Sequence, residues 1–355
     1  MRHVLLASIV LPALIAVGCS GSSKVGGSSG SASSATTGNG GTTGSLTTGG
    51  SNTGTSTGSV TTSSGSGAST GASGTSTTSA GSSSGSTGTN PLITARPYTS
   101  AAPAGFDPSV KLPLIVMLHG YGSYAAQEDG YLGIGALVDS KHFFYADPDG
   151  TLDGNGKRFW NATDACCNFY GSTVDDVAYL TAVIDDMAAR YPVDPKRVYV
   201  MGHSNGGFMT HRMACERAGR IAAVLSLAGA QNHDPALCSP SEPVSVVELH
   251  GDADQTILYG GGSVSAGVPP YPSAETTVSD WAAKDGCGTT HADAGNLDLV
   301  GGGLAGDETN VQRFSGCTRG DVELWTIQGG PHVPYPWTST FAPTVIDWLF
   351  AHPKP

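Results

Sequence analysis

The stretch that most constrains this chain is residues 197–212, RVYVMGHSNGGFMTHR. Val198, Val200 and Met201 form a short apolar, β-prone run. Gly202-His203-Ser204-Asn205-Gly206 follows, and a helical pattern carrying Phe208, Met209 and Met213 comes next. G-x-S-x-G between a strand and a helix forces a sharp turn that lifts the serine clear of a sheet. The first N–H groups of the following helix lie close to it. Glycines on both sides let the backbone turn tightly and let strand and helix approach. In a chain with 51 glycines the five letters alone could be coincidence. Their setting makes Ser204 a candidate nucleophile.

Composition divides the 355 residues into unequal parts. Residues 1–18 carry Arg2 and then an almost wholly apolar run, which reads as an export segment too short to span a membrane comfortably. It ends in Ala16-Val17-Gly18-Cys19, which resembles a bacterial lipobox with Ala16 where Leu is usual. Lipidation of Cys19 would tether the protein to a membrane by its acyl chains alone. Residues 19–89 are nearly all Gly, Ser and Thr, with Lys24 the only charge. Such a tract buries too little apolar surface to offset its chain entropy, so a disordered linker reaching about 45–50 Å is expected.

Residues 90–355 can form one large core. The net charge of −12 falls almost wholly there, which argues against nucleic acid as a partner. Six cysteines lie in this part: Cys166, Cys167, Cys215, Cys238, Cys287 and Cys317. An even count in an exported domain favours disulfides over metal ligation. Cys287 with Cys317 is the local expectation. Sequence alone does not assign Cys166 and Cys167.

Strands are expected at residues 112–118, 143–146, 198–201, 223–227, 244–249, 311–314 and 322–327. Helices are expected at 174–191, after Ser204, at 274–283 and at the C-terminus. The alternation predicts an α/β fold with a mostly parallel sheet flanked by helices. Thr173 and Asp176 fit a helix cap, which explains Asp175-Asp176 better than a paired-carboxylate glycosidase site does. Asp147, Asp149 and Asp153 lack the terminal Glu of an EF-hand loop and read as a solvated turn. Asn161-Ala162-Thr163 matches a glycosylation sequon, which a bacterial lipoprotein would seldom use.

A serine hydroxyl needs a base, and the base needs an orienting group. Asp252 and Asp254 both follow the strand ending in VVELHG. His332 stands in the Gly/Pro loop GGPH between a strand and the final helix, unlike His291 in a polar insertion and His352 in the tail. The order Ser, acid, His is that of an α/β-hydrolase. An oxyanion formed on a substrate carbonyl would be held by the Asn205 N–H and by an N–H from residues 119–123, with Tyr121 the first candidate. His119 and His203, flanking these turns, and Trp160 are candidates for lining the substrate site. Trp160 and Tyr121 could supply aromatic surface, though core packing accounts for Trp160 equally well, and His203 and His250, beside the elbow and the acid loop, fit packing or hydrogen bonding better than a role as base.

Taken in order, LHGYG, WNATDACC, VDDVAYL, YPVDPKRVYVMGHSNGG, HGDAD and GGPH resemble the polyhydroxybutyrate depolymerase-type esterases. These are relatives of the feruloyl and acetyl-xylan esterases of carbohydrate esterase family one. The resemblance covers about residues 96–355. It implies an α/β-hydrolase esterase with Ser204 as nucleophile, Asp254 rather than Asp252 as acid, His332 as base and an oxyanion loop at residues 119–122. GGPH departs from relatives that carry a further small residue before the histidine. No metal or organic cofactor is implied. The expected substrate is a polymeric ester, either plant polysaccharide or polyhydroxyalkanoate, and the expected state is a monomer, secreted or lipid-anchored at the cell surface. The alternatives are an exopeptidase of the same fold and a non-catalytic surface lipoprotein that binds polymer.

Overall fold

The computed structural model describes residues 90–304 and 306–355. The export segment at 1–18, the lipidation site Cys19 and the tract at 19–89 lie outside the described residues.

In chain order the elements are α1 (Pro91–Ala95), β1 (Thr99–Ala101), β2 (Leu112–Leu118), α2 (Ala125–Leu132), α3 (Val138–Lys141), β3 (Phe144–Asp147), β4 (Thr151–Leu152), β5 (Arg158–Phe159) and α4 (Asp176–Arg190). Then come β6 (Val193–His203), α5 (Asn205–Glu216), β7 (Ala223–Leu227), β8 (Ser245–Gly251), α6 (Ala274–Lys284), β9 (His291–Leu297), β10 (Thr309–Phe314), β11 (Val322–Ile327) and α7 (Phe341–Ala351). Nine strands form one sheet in the order β1-β3-β2-β6-β7-β8-β11-β10-β9. The six from β3 to β11 are parallel, while β1 pairs antiparallel at one edge and, at the other, β10 pairs antiparallel with β11 and β9 antiparallel with β10. β4 and β5 make a separate hairpin.

The continuous apolar runs follow from burial on both faces. Along β2, Leu114, Val116 and Leu118 join the core under α4, α5 and α6, to which Leu180, Phe208 and Trp281 contribute. Ile115 and Met117 point to the other face, covered by Leu132, Val138, Phe341, Val345 and Leu349. This is the α/β-hydrolase architecture, a mixed sheet between helical layers. No helix among the described residues is long and apolar enough to cross a membrane.

The cap of α4 differs from expectation. Asp175, not Thr173, accepts the Ala178 N–H at 2.8 Å. Asp176 turns inward, fully buried, where it pairs with Arg96 at 2.7 Å and accepts the Asn161 N–H. A carboxylate so enclosed must be paired, and Arg96 also lies 3.4 Å over the Tyr179 ring. In the acidic turn, Asp149 accepts the Ala125 N–H and pairs with Arg158, and Asp153 accepts from the Asn155 and Lys157 N–H groups. These carboxylates fasten the β4–β5 hairpin. Among the described residues no cluster of three or more His, Cys, Asp or Glu side chains is arranged to hold a metal ion.

Cys287 is bonded to Cys317, Cys215 to Cys238 and Cys166 to its neighbour Cys167. Three disulfides are consistent with an oxidising, extracellular setting.

Candidate active site

Parallel strands deliver their carboxyl ends to one edge of a sheet, where open α/β proteins place their sites. Gly202 of β6 pairs with Leu118 of β2, and Gly251 of β8 pairs with Ile327 of β11. The segments leaving β2, β6, β8 and β11 therefore emerge together, and they carry residues 119–123, Ser204, Asp254 and His332 respectively.

Ser204 sits between β6 and α5 with φ 56 and ψ −121, a region that side chains rarely adopt. Its N–H donates to Leu227 O at 2.7 Å, which holds the turn in place. Two residues on, a Cβ at Gly206 would collide with Leu118 O, so only glycine lets α5 leave so close to β2. The turn is a strained strand-to-helix elbow.

Ser204 Oγ lies 3.0 Å from His332 Nε2, and His332 Nδ1 lies 2.7 Å from Asp254 Oδ2. Because the carboxylate can only accept, Nδ1 carries the proton and Nε2 is left to accept from the serine hydroxyl. Asp254 Oδ1 takes the N–H groups of Thr256 and Ile257 at 2.7 and 2.9 Å. Although burial opposes ionisation, the hydrogen bonds from His250 and His332 and these backbone donors hold the Asp254 carboxyl well below the usual carboxylate range. Burial pushes the His332 conjugate acid below its ordinary value, with the Asp254 hydrogen bond opposing in part. Asp252 is exposed and does not reach His332; it accepts the Gly329 N–H at 2.6 Å and steadies the loop.

Backbone donors face the same place. A Cβ at Gly120 would stand 3.4 Å from Ser204 Cβ, so the loop after β2 lies directly against the serine. The Gly120 N–H is taken by Glu128 Oε2 at 3.2 Å and that of Gly122 by Arg158 O at 2.8 Å. The N–H groups of Tyr121 and Asn205 have no partner among the described residues. The Asn205 side chain is spent elsewhere: Oδ1 accepts the Trp160 N–H, and Nδ2 donates to Trp160 O.

Three of the candidates for lining the substrate site make hydrogen bonds within the fold. His119 is fully buried, its Nδ1 donating to Gly120 O at 2.7 Å and its Nε2 accepting the Gly150 N–H at 2.9 Å. Trp160 is likewise fully buried, its indole N–H donating to His119 O. His203 lies behind the site: Nε2 donates to His332 O at 2.9 Å, and Nδ1 is 3.3 Å from Glu128 Oε1. These three side chains hold loops. Burial would lower the His203 pKa, but its pairing with Glu128 raises it overall, and the same contact lowers that of Glu128. Buried Glu128 thus ties the residue 119–123 loop to the His332 loop. A lone acidic residue in a helix carries no pattern that would have revealed this.

The aromatic surface near the site is Tyr121, half-buried, in edge contact with exposed Phe169 at 5.2 Å, with Tyr170 also exposed nearby in sequence. A polar cleft of about 550 Å³ lies along α5, lined by residues including Thr163, Arg212 and Asn232, but neither Ser204 nor His332 contributes to it.

The prolyl oligopeptidase family matches residues 140–256, about a third of the chain. "Putative esterase NocK" of Nocardia uniformis subsp. tsuyamanensis is 29% identical over 244 residues, 66% of this chain and 69% of that protein. Feruloyl esterase B of Piromyces equi is also 29% identical over 244 residues, which span 65% of this chain but only 41% of the relative. Among solved structures, the acetyl xylan esterase of Aspergillus awamori superposes with a TM-score of 0.52 at 15% identity, covering 74% of this chain and 96% of that one. The fold and the sequence relatives together define an α/β-hydrolase-fold esterase. Its relationship to the feruloyl and acetyl-xylan esterases and to the polyhydroxyalkanoate depolymerases is distant.

Proposed function

We propose that the protein is an exported serine carboxylester hydrolase that cleaves esters in or on polymers, with Ser204, His332 and Asp254 as its triad. The observation that carries this reading is the unbroken pair of hydrogen bonds from Ser204 through His332 to Asp254, set beside two N–H groups without a partner among the described residues. His332 Nε2 takes the proton of Ser204 as Oγ attacks the ester carbonyl. The Tyr121 and Asn205 N–H groups hold the resulting oxyanion; one such donor is typically worth about 10²–10³ in rate. Asp254 steadies the imidazolium, which protonates the leaving alcohol, and a water activated by His332 then hydrolyses the acyl-enzyme.

Tyr121, Phe169 and Tyr170 support a substrate with an extended or aromatic surface, as a feruloyl group or a polyester chain would present. Parallel product analysis on methyl ferulate, acetylated xylan and a hydroxybutyrate oligomer tests the substrate. Release of ferulate or acetate supports the polysaccharide branch, release of hydroxybutyrate the polyester branch, and no release from any of them contradicts the reading. The prolyl oligopeptidase match favours a second reading, a peptidase using the same triad. Faster turnover of an aminoacyl p-nitroanilide than of a p-nitrophenyl ester would establish it.

The pH profile follows from the His332 environment. The base must be neutral, and burial moves its conjugate acid below the ordinary 6.5. The acid limb of kcat/KM on a p-nitrophenyl ester should therefore have its midpoint below pH 6.5, with activity lost as pH falls through it. A midpoint clearly above that value would contradict the assignment.

The export and anchoring part of the proposal rests on residues 1–19. Membrane-fraction recovery of the protein from cells should be lost in Cys19→Ala; unchanged recovery would leave the protein without its lipid anchor.

A further inference from the structure

We propose that His250 is a charged positioning residue, an imidazolium standing between the buried carboxylates of Asp254 and Glu248 at the end of a hydrogen-bonded chain that begins at the Trp281 indole. The inference rests on Asp254 acting as the triad acid.

The protons can be placed one by one. An indole N–H can only donate, so the Trp281 Nε1 contact at 3.0 Å makes His211 Nδ1 an acceptor. The proton of His211 is then on Nε2, which donates to Glu248 Oε2 at 3.0 Å. Gly229 N–H donates to Glu248 Oε1 at 3.2 Å. On the other side, His250 Nε2 is 2.8 Å from the Ile257 carbonyl, which can only accept, so this nitrogen is protonated. Its second neighbour is Asp254 Oδ2 at 3.5 Å. His250 Nδ1 faces Glu248 Oε1 at 3.0 Å. With Glu248 already receiving two N–H donors, the arrangement is most stable with Nδ1–H donating a third, so both nitrogens of His250 carry protons. His211, Glu248, His250 and Asp254 are each at most 1% exposed.

Charge balance gives the same answer. Two carboxylates at full burial need compensation, and among the described residues no Lys or Arg contacts either of them. With His250 charged, the cluster of Glu248, His250 and Asp254 holds one net negative charge. That charge is neutralised when His332 accepts the serine proton. Burial opposes charge on His250, but the hydrogen bonds to Asp254 and Glu248 raise its pKa to about 9, and those from His211 and His250 lower that of Glu248. The other titratable groups around the cluster are Tyr259, whose ring packs edge-on to His250 at 5.7 Å, Glu275 beyond the Tyr259 hydroxyl, Tyr131 and Tyr271, which lie within electrostatic reach of Asp254, and the Glu128–His203 pair behind His332.

The role separates from simple packing by its pH signature. Gln at position 250 can keep a donor toward Ile257 O but carries no charge. In His250→Gln, His332 would face the carboxylates without the screening cation, its conjugate acid would be stabilised, and the acid limb of kcat/KM should move up by about one unit. A side chain that merely fills space would lower kcat and leave the limb in place. Histidine ¹⁵N spectra of the wild-type protein provide the direct measurement, with His250 assigned through its contact with the Tyr259 ring. Two protonated nitrogens on His250, unchanged from about pH 5 to about pH 8, and a single protonated Nε2 on His211 are expected. An unprotonated Nδ1, or titration of His250 within that window, would overturn the proposal, as would a folded His250→Gln enzyme whose limb does not move. If that variant does not fold, the wild-type spectra decide alone. If the wild type hydrolyses no ester, the spectra still decide the state of His250, and only the esterase reading falls.

Discussion

Ser204→Ala should reduce kcat on a short-chain p-nitrophenyl ester by about 10⁴–10⁶ while leaving the thermal unfolding of the protein close to wild type. The expected size follows from what Ser204 Oγ does and what surrounds it. Among the described residues it is the only atom hydrogen-bonded to His332 Nε2, so without it the base has no nucleophile to activate. The Tyr121 and Asn205 N–H groups would remain, so slow hydrolysis above the rate in water would persist through oxyanion binding alone. Stability should hold because the side chain contributes little to packing. The strain lies in the backbone at φ 56, which alanine retains. A variant that keeps more than about a tenth of wild-type turnover would place the nucleophile elsewhere.

Asp254→Asn should cost about 10⁴ in kcat, whereas Asp252→Asn should cost less than about tenfold. The two residues are neighbours on one turn, yet they face different partners. Asp254 is fully buried, and its Oδ2 fixes the tautomer of His332 by accepting at Nδ1. An amide there can present an N–H to the ring instead, which would drive the proton to Nε2 and leave no lone pair for the serine. It would also remove the carboxylate that His250 faces. Asp252 reaches only the Gly329 N–H at the surface, a contact that an Asn Oδ1 reproduces. Steady-state kinetics of the two variants side by side checks the assignment, and a larger loss in Asp252→Asn would reverse it.

The parts of the fold legible in the sequence were those with strong local patterns. Residues 223–227 and 322–327 are strands as expected, because apolar runs buried on both faces have few other solutions. The strand His291–Leu297 was not legible. Its residues HADAGNL are exposed along most of their length at the sheet edge, so no apolar alternation marks them, and pairing with β10 defines the strand. The cap of α4 was misplaced by two residues because Thr173, Asp175 and Asp176 are all plausible caps until Arg96 claims the inward one.

The site divides in the same way. Ser204, His332 and the 119–123 loop stand at strand ends with Gly and Pro around them, and local chain chemistry singles them out. The roles of His119, Trp160 and His203 depend on which way a side chain points, which no spacing in a loop specifies. Glu128, Glu248 and His211 were hidden for another reason. Each is a polar residue in an otherwise ordinary element, and its partner lies far away in sequence, as with His211 and Trp281. Such residues become visible only when the sheet brings their partners together.

Covalent labelling tests the central claim most directly. A p-nitrophenyl alkylphosphonate transfers its phosphonyl group to an activated serine with loss of p-nitrophenolate, and the adduct is stable enough for peptide mapping. One adduct per chain is expected, on Ser204, with esterase activity falling in step with labelling and no labelling in Asp254→Asn on the same timescale. Activity that survives full labelling of Ser204, or is lost by labelling at another residue, would contradict the account.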